Sequence, residues 1–347
     1  MADRPRRVLV ARMDSMGDVL MAGPAIRAVA ARPDTEVWLL AGPRGEAAAR
    51  LLPGVAQVRV IGTPWITAVD RPVDRLLVDE VEALVTECDP DEVIVLTAFH
   101  QSPLPIALLL KLAGVQRITG ASVQASAGLL DIRLLPGDDF PEDIPEPERN
   151  LRIVAAAGYT LPDGDDGALA VIAIDDPPAV LASLPPRYLV VHPGAQVPAR
   201  EYPAQQHAAA VEQLTALGHP VVVTGGRHER DLTALVAGTT GIDLGGRLDL
   251  RGMVAVIGGA RVMVVGNTGP AHLAAAVGVP IVGLFSAVVP AVRWAPYGVP
   301  TVLLGDQHAA CRGTRAQLCP VPGHPCLTGV PPEAVVAAAQ RLLAETA

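Results

Sequence analysis

The sequence predicts an α/β protein made of two doubly wound, parallel-sheet halves. Three observations predict it. Short, near-continuous apolar runs alternate with helix-length segments, and such runs suit strands buried on both faces of a parallel sheet. The alternation occurs twice, on either side of a Pro-rich acidic stretch from Pro136 to Pro147 and a polar segment from Asp163 to Gly167 that reads as a linker. A chain of 347 residues, at roughly 150 per domain, makes about two domains, each able to bury a full core. The expected division is 1–165, 166–330 and a terminal helix over 331–347.

In the first half Val8–Ala11 reads as a strand, followed by a helix from about Asp18 to Arg32 and strands at Glu36–Leu40 and Val58–Ile61. Asp74–Glu87 places Leu76, Leu77, Val81, Leu84 and Val85 on one helical face. A strand at Val93–Thr97 and a Pro-bounded helix at Leu104–Ala113 follow, and Glu148–Ala157 reads as a helix stopped by Gly158. The second half repeats the pattern. Strands are expected at Tyr188–His192, Val221–Thr224, Ile242–Leu244, Val262–Val265 and Ile281–Phe285. Helices are expected at Gln205–Leu217, Glu229–Val236, Leu250–Ile257, Ala271–Val277 and Pro331–Ala344.

Composition excludes several function classes. Apolar residues make up 50% and charged residues 18%, which argues against long disorder. The net charge of −9 argues against non-specific nucleic-acid binding, which needs a basic surface. No window approaches the roughly 18 to 20 apolar residues of a membrane span. Leu104–Val115 comes nearest, and it is short and holds Lys111. Arg4, Arg6 and Arg7 precede too brief an apolar run for a secretory signal, so a cytoplasmic protein is expected. Lys111 is the single lysine, which leaves phosphate binding to arginine, whose planar fork gives two parallel hydrogen bonds.

The chemistry-bearing motifs fall at carboxyl ends of strands, where open α/β sheets bind ligands. Asp14-Ser15-Met16-Gly17-Asp18 follows the first strand. It has one glycine where a dinucleotide fingerprint needs three. Asp18 opens a helix, where free amides favour its ionised form; it serves either as a cap or as a base that takes a proton from a hydroxyl, with Asp14 as a rival base. His192-Pro193-Gly194-Ala195 makes a tight loop, with Arg200 beyond it to reach an anion. Thr224-Gly225-Gly226 lets a ligand approach the backbone, and Glu229 either holds ribose hydroxyls or caps the next helix. In Gly266-Asn267-Thr268-Gly269-Pro270-Ala271-His272 a strand enters a small-residue loop and a helix with proline in its first turn, a ready diphosphate site. His272 is either part of that site or a packed helix residue. Arg293-Trp294-Ala295-Pro296-Tyr297-Gly298 either walls a nucleotide or plugs the domain edge. His100 and Gln101, after the Val93–Thr97 strand, are polar groups for acceptor hydroxyls or a solvated loop.

In this order the motifs resemble glycosyltransferase family 9, the ADP-heptose lipopolysaccharide heptosyltransferases. The matching pieces are Ser15 to Leu20, His192 to Ala195, Gly225 to Glu229 and Thr268 to Ala276, with the Arg293 to Gly298 loop and Glu148-Arg149-Asn150-Leu151. The resemblance implies a GT-B fold of two facing Rossmann-like domains, with the acceptor on the N-terminal half and the nucleotide-sugar on the C-terminal half. It implies a terminal helix returning to the N-terminal domain, and an inverting transfer without metal or cofactor. By position, Asp18 is then the general base, with Ser15, Gly17, His100 and Gln101 on the acceptor side. Arg200, Thr268, Gly269 and His272 hold the donor diphosphate, and Glu229, Gly225 and Gly226 the nucleoside. Asn267 stands by the donor sugar where the family often has Asp, a change that bears on the choice of sugar. The implied partners are a nucleotide-diphospho-sugar, ADP-linked with heptose or a related sugar, and a hydroxylated glycan, glycolipid or small molecule. The apolar helix after Ser102 reads as a buried crossover helix ahead of a contact for a lipid-linked acceptor at a membrane surface.

Other readings are a non-catalytic nucleotide-sugar-binding protein, which Asn267 favours, and a GT-B-fold nucleotide-sugar epimerase. Cys88 reads as a core residue. Cys311, Cys319 and Cys326, near His308 and His324, lack the C-x-x-C spacing of a zinc knuckle, and are expected to be packing thiols ahead of a disulfide or a metal site.

Overall fold

The computed structural model of the protein describes residues 4–66 and 71–346. Its first unit, Met1–Ile172, has strands β1 (Arg6–Arg12), β2 (Thr35–Ala41), β3 (Val55–Val60), β4 (Glu92–Val95), β5 (Ile118–Ala121) and β6 (Ile132–Leu134). Its helices are α1 (Met16–Met21), α2 (Gly23–Ala30), α3 (Glu46–Ala49), α4 (Arg75–Cys88), α5 (Leu104–Leu112) and α6 (Glu146–Ala156). The strands pair in parallel in the order β3-β2-β1-β4-β5-β6. β1 therefore has β2 on one side and β4 on the other, and the order reverses at its carboxyl end, where the chain crosses to opposite faces and leaves room for a site.

Alternation along β1 sends Leu9 and Ala11 to one face, with Val93 and Val95 of β4 beside them. Leu77, Val81 and Leu84 of α4 and Ile106 and Leu110 of α5 close that face. Each such fully buried side chain adds about 1.5–3 kcal/mol. Asp74 starts α4 by accepting the Leu77 amide at 3.0 Å, and Asp89 ends it in the left-handed region with φ of 43°. α6 packs on α2 and β5.

Two expectations need correction here. The single helix from Asp18 to Arg32 is two helices, α1 and α2, because Gly23-Pro24 interrupts the ladder: Pro24 has no amide hydrogen to continue it. The segment from Asp163 to Gly167 is not a free linker. Asp165 takes both Arg27 Nε and Nη2, at 2.7 and 2.8 Å, and the Ile172 amide bonds Leu51 O at 2.8 Å. These contacts carry the first unit on to Ile172, past the expected boundary at 165.

The second unit, Ala173–Ala347, has strands β7 (Leu189–His192), β8 (Val221–Val223), β9 (Ile242–Asp243), β10 (Met263–Gly266), β11 (Ile281–Leu284) and β12 (Thr301–Leu304). Its helices are α7 (Ala204–Ala216), α8 (Arg230–Ala237), α9 (Leu250–Gly258), α10 (Gly269–Ala276), α11 (Ala291–Trp294), α12 (Pro325–Thr328) and α13 (Pro332–Glu345). The parallel order is β12-β11-β10-β7-β8-β9, so the reversal lies between β7 and β10. α13 packs within this unit. Val335, Ala339 and Leu342 are fully buried in the core of this second unit, with Val211 and Leu214 of α7, Val282 and Leu284 of β11. Arg261 also donates to Leu343 O at 3.1 Å. An amphipathic pattern says that a helix has a face to bury; it does not say against which sheet. Among the described residues no helix is long and apolar enough to cross a membrane.

Candidate functional site

In the first unit the residues after β1 gather around Arg12, the last residue of that strand. Its side chain is fully buried. Nε lies 2.9 Å from Asp14 Oδ2, Nη2 3.3 Å from Asp18 Oδ1, and Nη1 3.6 Å from Glu146 Oε2. Nη1 also donates to Asn150 Oδ1 at 3.4 Å, and the Asn150 amide donates to Met21 O at 3.2 Å. One cation thus joins the ends of β1 and α1 to the first turn of α6. Burial opposes its charge, yet the three carboxylates together raise its pKa above the ordinary value.

Asp18 stands third in α1, whose N-cap is Ser15. The Ser15 hydroxyl makes no backbone cap and donates to Asp18 Oδ2 at 2.7 Å. Of the three carboxylates on Arg12, Asp18 is the one with a solvent face: its side chain is 20% exposed, against 6% for Asp14 and 1% for Glu146. Burial pushes the Asp14 carboxyl up to about 6, against the pull of Arg12. Burial also raises Glu146. Gln101 is spent on Asp14: its Nε2 donates to Asp14 Oδ1, and its Oε1 accepts the Ala98 amide at 3.1 Å. His100 is exposed and meets Phe99 edge-on at 5.3 Å. Gly42 matters to this geometry, since a Cβ there would overlap Met13 O; its absence lets the loop after β2 lie against the loop after β1.

In the second unit the expected loops converge at the ends of β7, β8 and β10. His192 is buried with Nδ1 3.1 Å from Thr224 Oγ1, and burial drives its pKa down to about 4 although Glu229 opposes this. Glu229 Oε2 accepts the Gly226 amide at 2.6 Å, closing the turn before α8. Its carboxylate also lies on Gly194 and Gly225, where any Cβ would collide with Glu229 or with Thr233. The glycines of these two loops are thus required by contacts inside the protein. Arg200 is half-buried at the end of a short 3-10 turn, and its carbonyl lies beside Gly266 at the end of β10. That puts the Arg200 backbone at the strand end from which Asn267, Thr268 and Gly269 lead into α10. Thr268 is the N-cap of α10 and makes no side-chain cap bond; Pro270 occupies the first turn. Asn267 and His272 are buried, as are Arg293 and Trp294.

Ser15, Gly17, Asp18 and Gln101 thus share one neighbourhood, and Arg200, Gly225, Gly226, Glu229, Asn267, Thr268, Gly269 and His272 line three adjoining strand ends of the other unit. Arg12, Glu146 and the placement of Asn150 escaped the sequence reading. The available signals were a charged residue closing an apolar run and a Glu146/Asn150 pair spaced i, i+4. Arg12 fills the space between the acids, and among the described residues no group of three or more His, Cys, Asp or Glu could hold a metal ion. Cys88, Cys311 and Cys326 are buried free thiols, and Cys319 is half-buried and free.

Comparison with known proteins adds the following. No curated protein matches the sequence. A glycosyltransferase family 9 structure from Veillonella parvula superimposes with a TM-score of 0.75 at 17% identity, covering 98% of this chain and 97% of that one. ADP-heptose lipopolysaccharide heptosyltransferase II of E. coli gives 0.71 at 20% identity, covering 98% and 99%. E. coli heptosyltransferase WaaC with ADP-2-deoxy-2-fluoro heptose gives 0.68 at 19%, covering 98% and 100%. Those likenesses establish the GT-B fold class. Residues 168–323 match the family model of glycosyltransferase family 9 (heptosyltransferase).

Proposed function

We propose that the protein is an inverting, metal-independent glycosyltransferase that moves heptose or a related sugar from an ADP-linked donor to a hydroxyl of a glycan, glycolipid or small molecule. The observation that carries this reading is Asp18. It is a carboxylate with a solvent face, held by Ser15 Oγ and Arg12 Nη2, at the carboxyl end of the strand where the sheet order reverses. A group so placed can take the proton of an acceptor hydroxyl as that oxygen attacks the anomeric carbon.

Inversion requires the base and the leaving diphosphate on opposite sides of that carbon, in line. The diphosphate gains negative charge as the bond breaks. Arg200 and the amides at the start of α10 are the groups we assign to it, through charge-assisted hydrogen bonds that need no metal. Thr268, Gly269 and His272 complete that subsite, Gly225, Gly226 and Glu229 face the nucleoside, and Asn267 reads the sugar by donating and accepting without charge. Ser15, Gly17 and His100 are assigned to the acceptor side. The donor assignment follows the E. coli relatives, one named for ADP-heptose and one bound to a fluorinated ADP-heptose.

Calorimetric titration with ADP, GDP, UDP and dTDP, chelator present, tests the donor half. Selective ADP binding is expected; binding lost on adding chelator would overturn the metal-free reading. Asp18→Asn tests the base. It should keep ADP binding and lose about 10²–10⁴-fold in release of ADP from ADP-heptose. Full activity in that variant would remove Asp18 from the reaction.

A further inference from the structure

The environment of Asp18 holds more charge than the proposed reaction uses. Arg12 is in direct contact with three carboxylates, Asp14, Asp18 and Glu146. Asp14 and Glu146 are enclosed with it, and a buried site holds several ionised carboxylates together only at high cost. Geometry indicates where a proton resides. Asp14 Oδ1 accepts from Gln101, but Oδ2 is buried with no hydrogen bond of acceptable direction, its 2.9 Å approach to Arg12 Nε being an ion pair off the N–H axis.

We propose that Asp14 is a positioning residue that sets the basicity of Asp18 through Arg12, holding a proton in one state and releasing it in the other. When Asp14 is protonated, Arg12 has one fewer carboxylate to neutralise, and its charge falls more fully on Asp18. Asp18 is then the weaker base. When Asp14 ionises, its charge competes for Arg12 and repels Asp18, and Asp18 becomes the stronger base. The inference rests on the reading of Asp18 as the base, but its test does not need substrate.

The groups facing Asp14 are few. From β1 there is Arg12, from α1 Asp18, from α6 Glu146 with Arg149 beside it, and from the loop after β4 the neutral Gln101. Arg44, on the loop after β2, is exposed, and Glu46 of α3 pairs outward with Arg50. Burial is the leading cause that lifts Asp14 to about 6, and Asp18 and Glu146 push in the same direction while Arg12 and Gln101 oppose them. The step therefore falls within reach of ordinary solution conditions.

The experiment is a carbon-13 NMR titration of side-chain carboxyls in the full chain labelled at aspartate Cγ, with Asp14→Asn and Asp18→Asn giving the assignments. The Asp14 resonance should titrate near pH 6, and the Asp18 resonance should show a displacement at the same pH. In Asp14→Asn that displacement should vanish, because the neutral amide holds residue 14 in the uncharged state at every pH. An Asp18 displacement near pH 6 that persists in Asp14→Asn, or an Asp14 midpoint near the usual 4 of a free aspartate, would overturn the proposal. If Asp14→Asn does not fold, Gln101→Leu serves. Removing the amide that favours ionised Asp14 should move both the Asp14 midpoint and the linked Asp18 step upward together; a step that stays in place overturns the coupling. Failure of Asp18→Asn to slow ADP release sinks the base assignment instead, and leaves the titration result standing.

Discussion

The carboxylate of Glu229 lies against the Cα of Gly194, in the space a Cβ at residue 194 would fill. The contact joins the loop after β7 to the turn after β8, and Glu229 simultaneously caps Gly226 at 2.6 Å. Gly194→Ala should therefore displace Glu229 and cost about 1–3 kcal/mol by overpacking. In a Glu229→Ala background the same substitution should cost much less, because the colliding atoms are gone. Thermal melts of the four proteins give the coupling directly. Additive costs would mean that Gly194 is needed for another reason. ADP affinity should fall with Gly194→Ala if the two loops flank the nucleoside.

Arg12 makes the second case. Arg12→Met keeps the length of the side chain and removes the charge that Asp14, Asp18 and Glu146 share. Breaking a buried ion pair from one side costs about 3–5 kcal/mol. The loss should be greatest above pH 7 and smaller near pH 5, where protonation relieves the acids. Chemical denaturation at the two pH values measures it; a loss independent of pH would mean that packing, not charge, is what Arg12 supplies.

The position of Asp18 was legible in the sequence because its signals are local: an apolar strand, one glycine and a helix start within a dozen residues. The Arg12 cluster was not. Asn150 is 138 residues from Arg12, and Glu146 sits at the end of a Pro-rich acidic stretch that by composition reads as solvated. β5 and β6 were missed for a similar reason. They are short, Gly120 and Arg133 interrupt their apolar pattern, and only pairing with β4 and with each other makes them strands. Gly194 read as part of a tight loop and Gly225 as letting a ligand approach the backbone; the contact of both with Glu229, which is 35 residues from Gly194, was not legible.

The terminal helix gives a third prediction. Leu342 is fully buried with α7 and β11 of the second unit. Leu342→Ala should cost about 2–5 kcal/mol. Hydrogen exchange followed peptide by peptide should show the loss of protection in β7, β8, β10 and β11. The same loss appearing instead in β1 and β4 would mean that α13 supports the other unit in solution.

The two units should also respond oppositely to mild acid. His192 and His207 of the second unit are buried and neutral, with pKa values pressed down by burial to about 4 and about 3; His207 is further lowered by His192. Unfolded, each returns to about 6.5. Between pH 6.5 and 5 the unfolded state therefore binds protons that the folded state refuses, and stability falls as pH falls, by about 1.4 kcal/mol per pH unit per histidine. Asp14 of the first unit works the other way. Burial raises it to about 6, so between pH 6 and its unfolded value near 3.8 the folded state holds a proton that the unfolded state releases, and acid stabilises. Glu146 is raised in the same direction. Lowering the pH from 6.5 to 5 should cost the second unit about 2 kcal/mol per histidine and give the first about 1 kcal/mol from Asp14. Hydrogen exchange under mild denaturant, corrected for the intrinsic rate at each pH, separates the two. The His207 contribution should disappear in His207→Phe, which fills the site beside Tyr202 without a titrating group, and that of His192 should remain; equal acid sensitivity in both units would contradict the assignment.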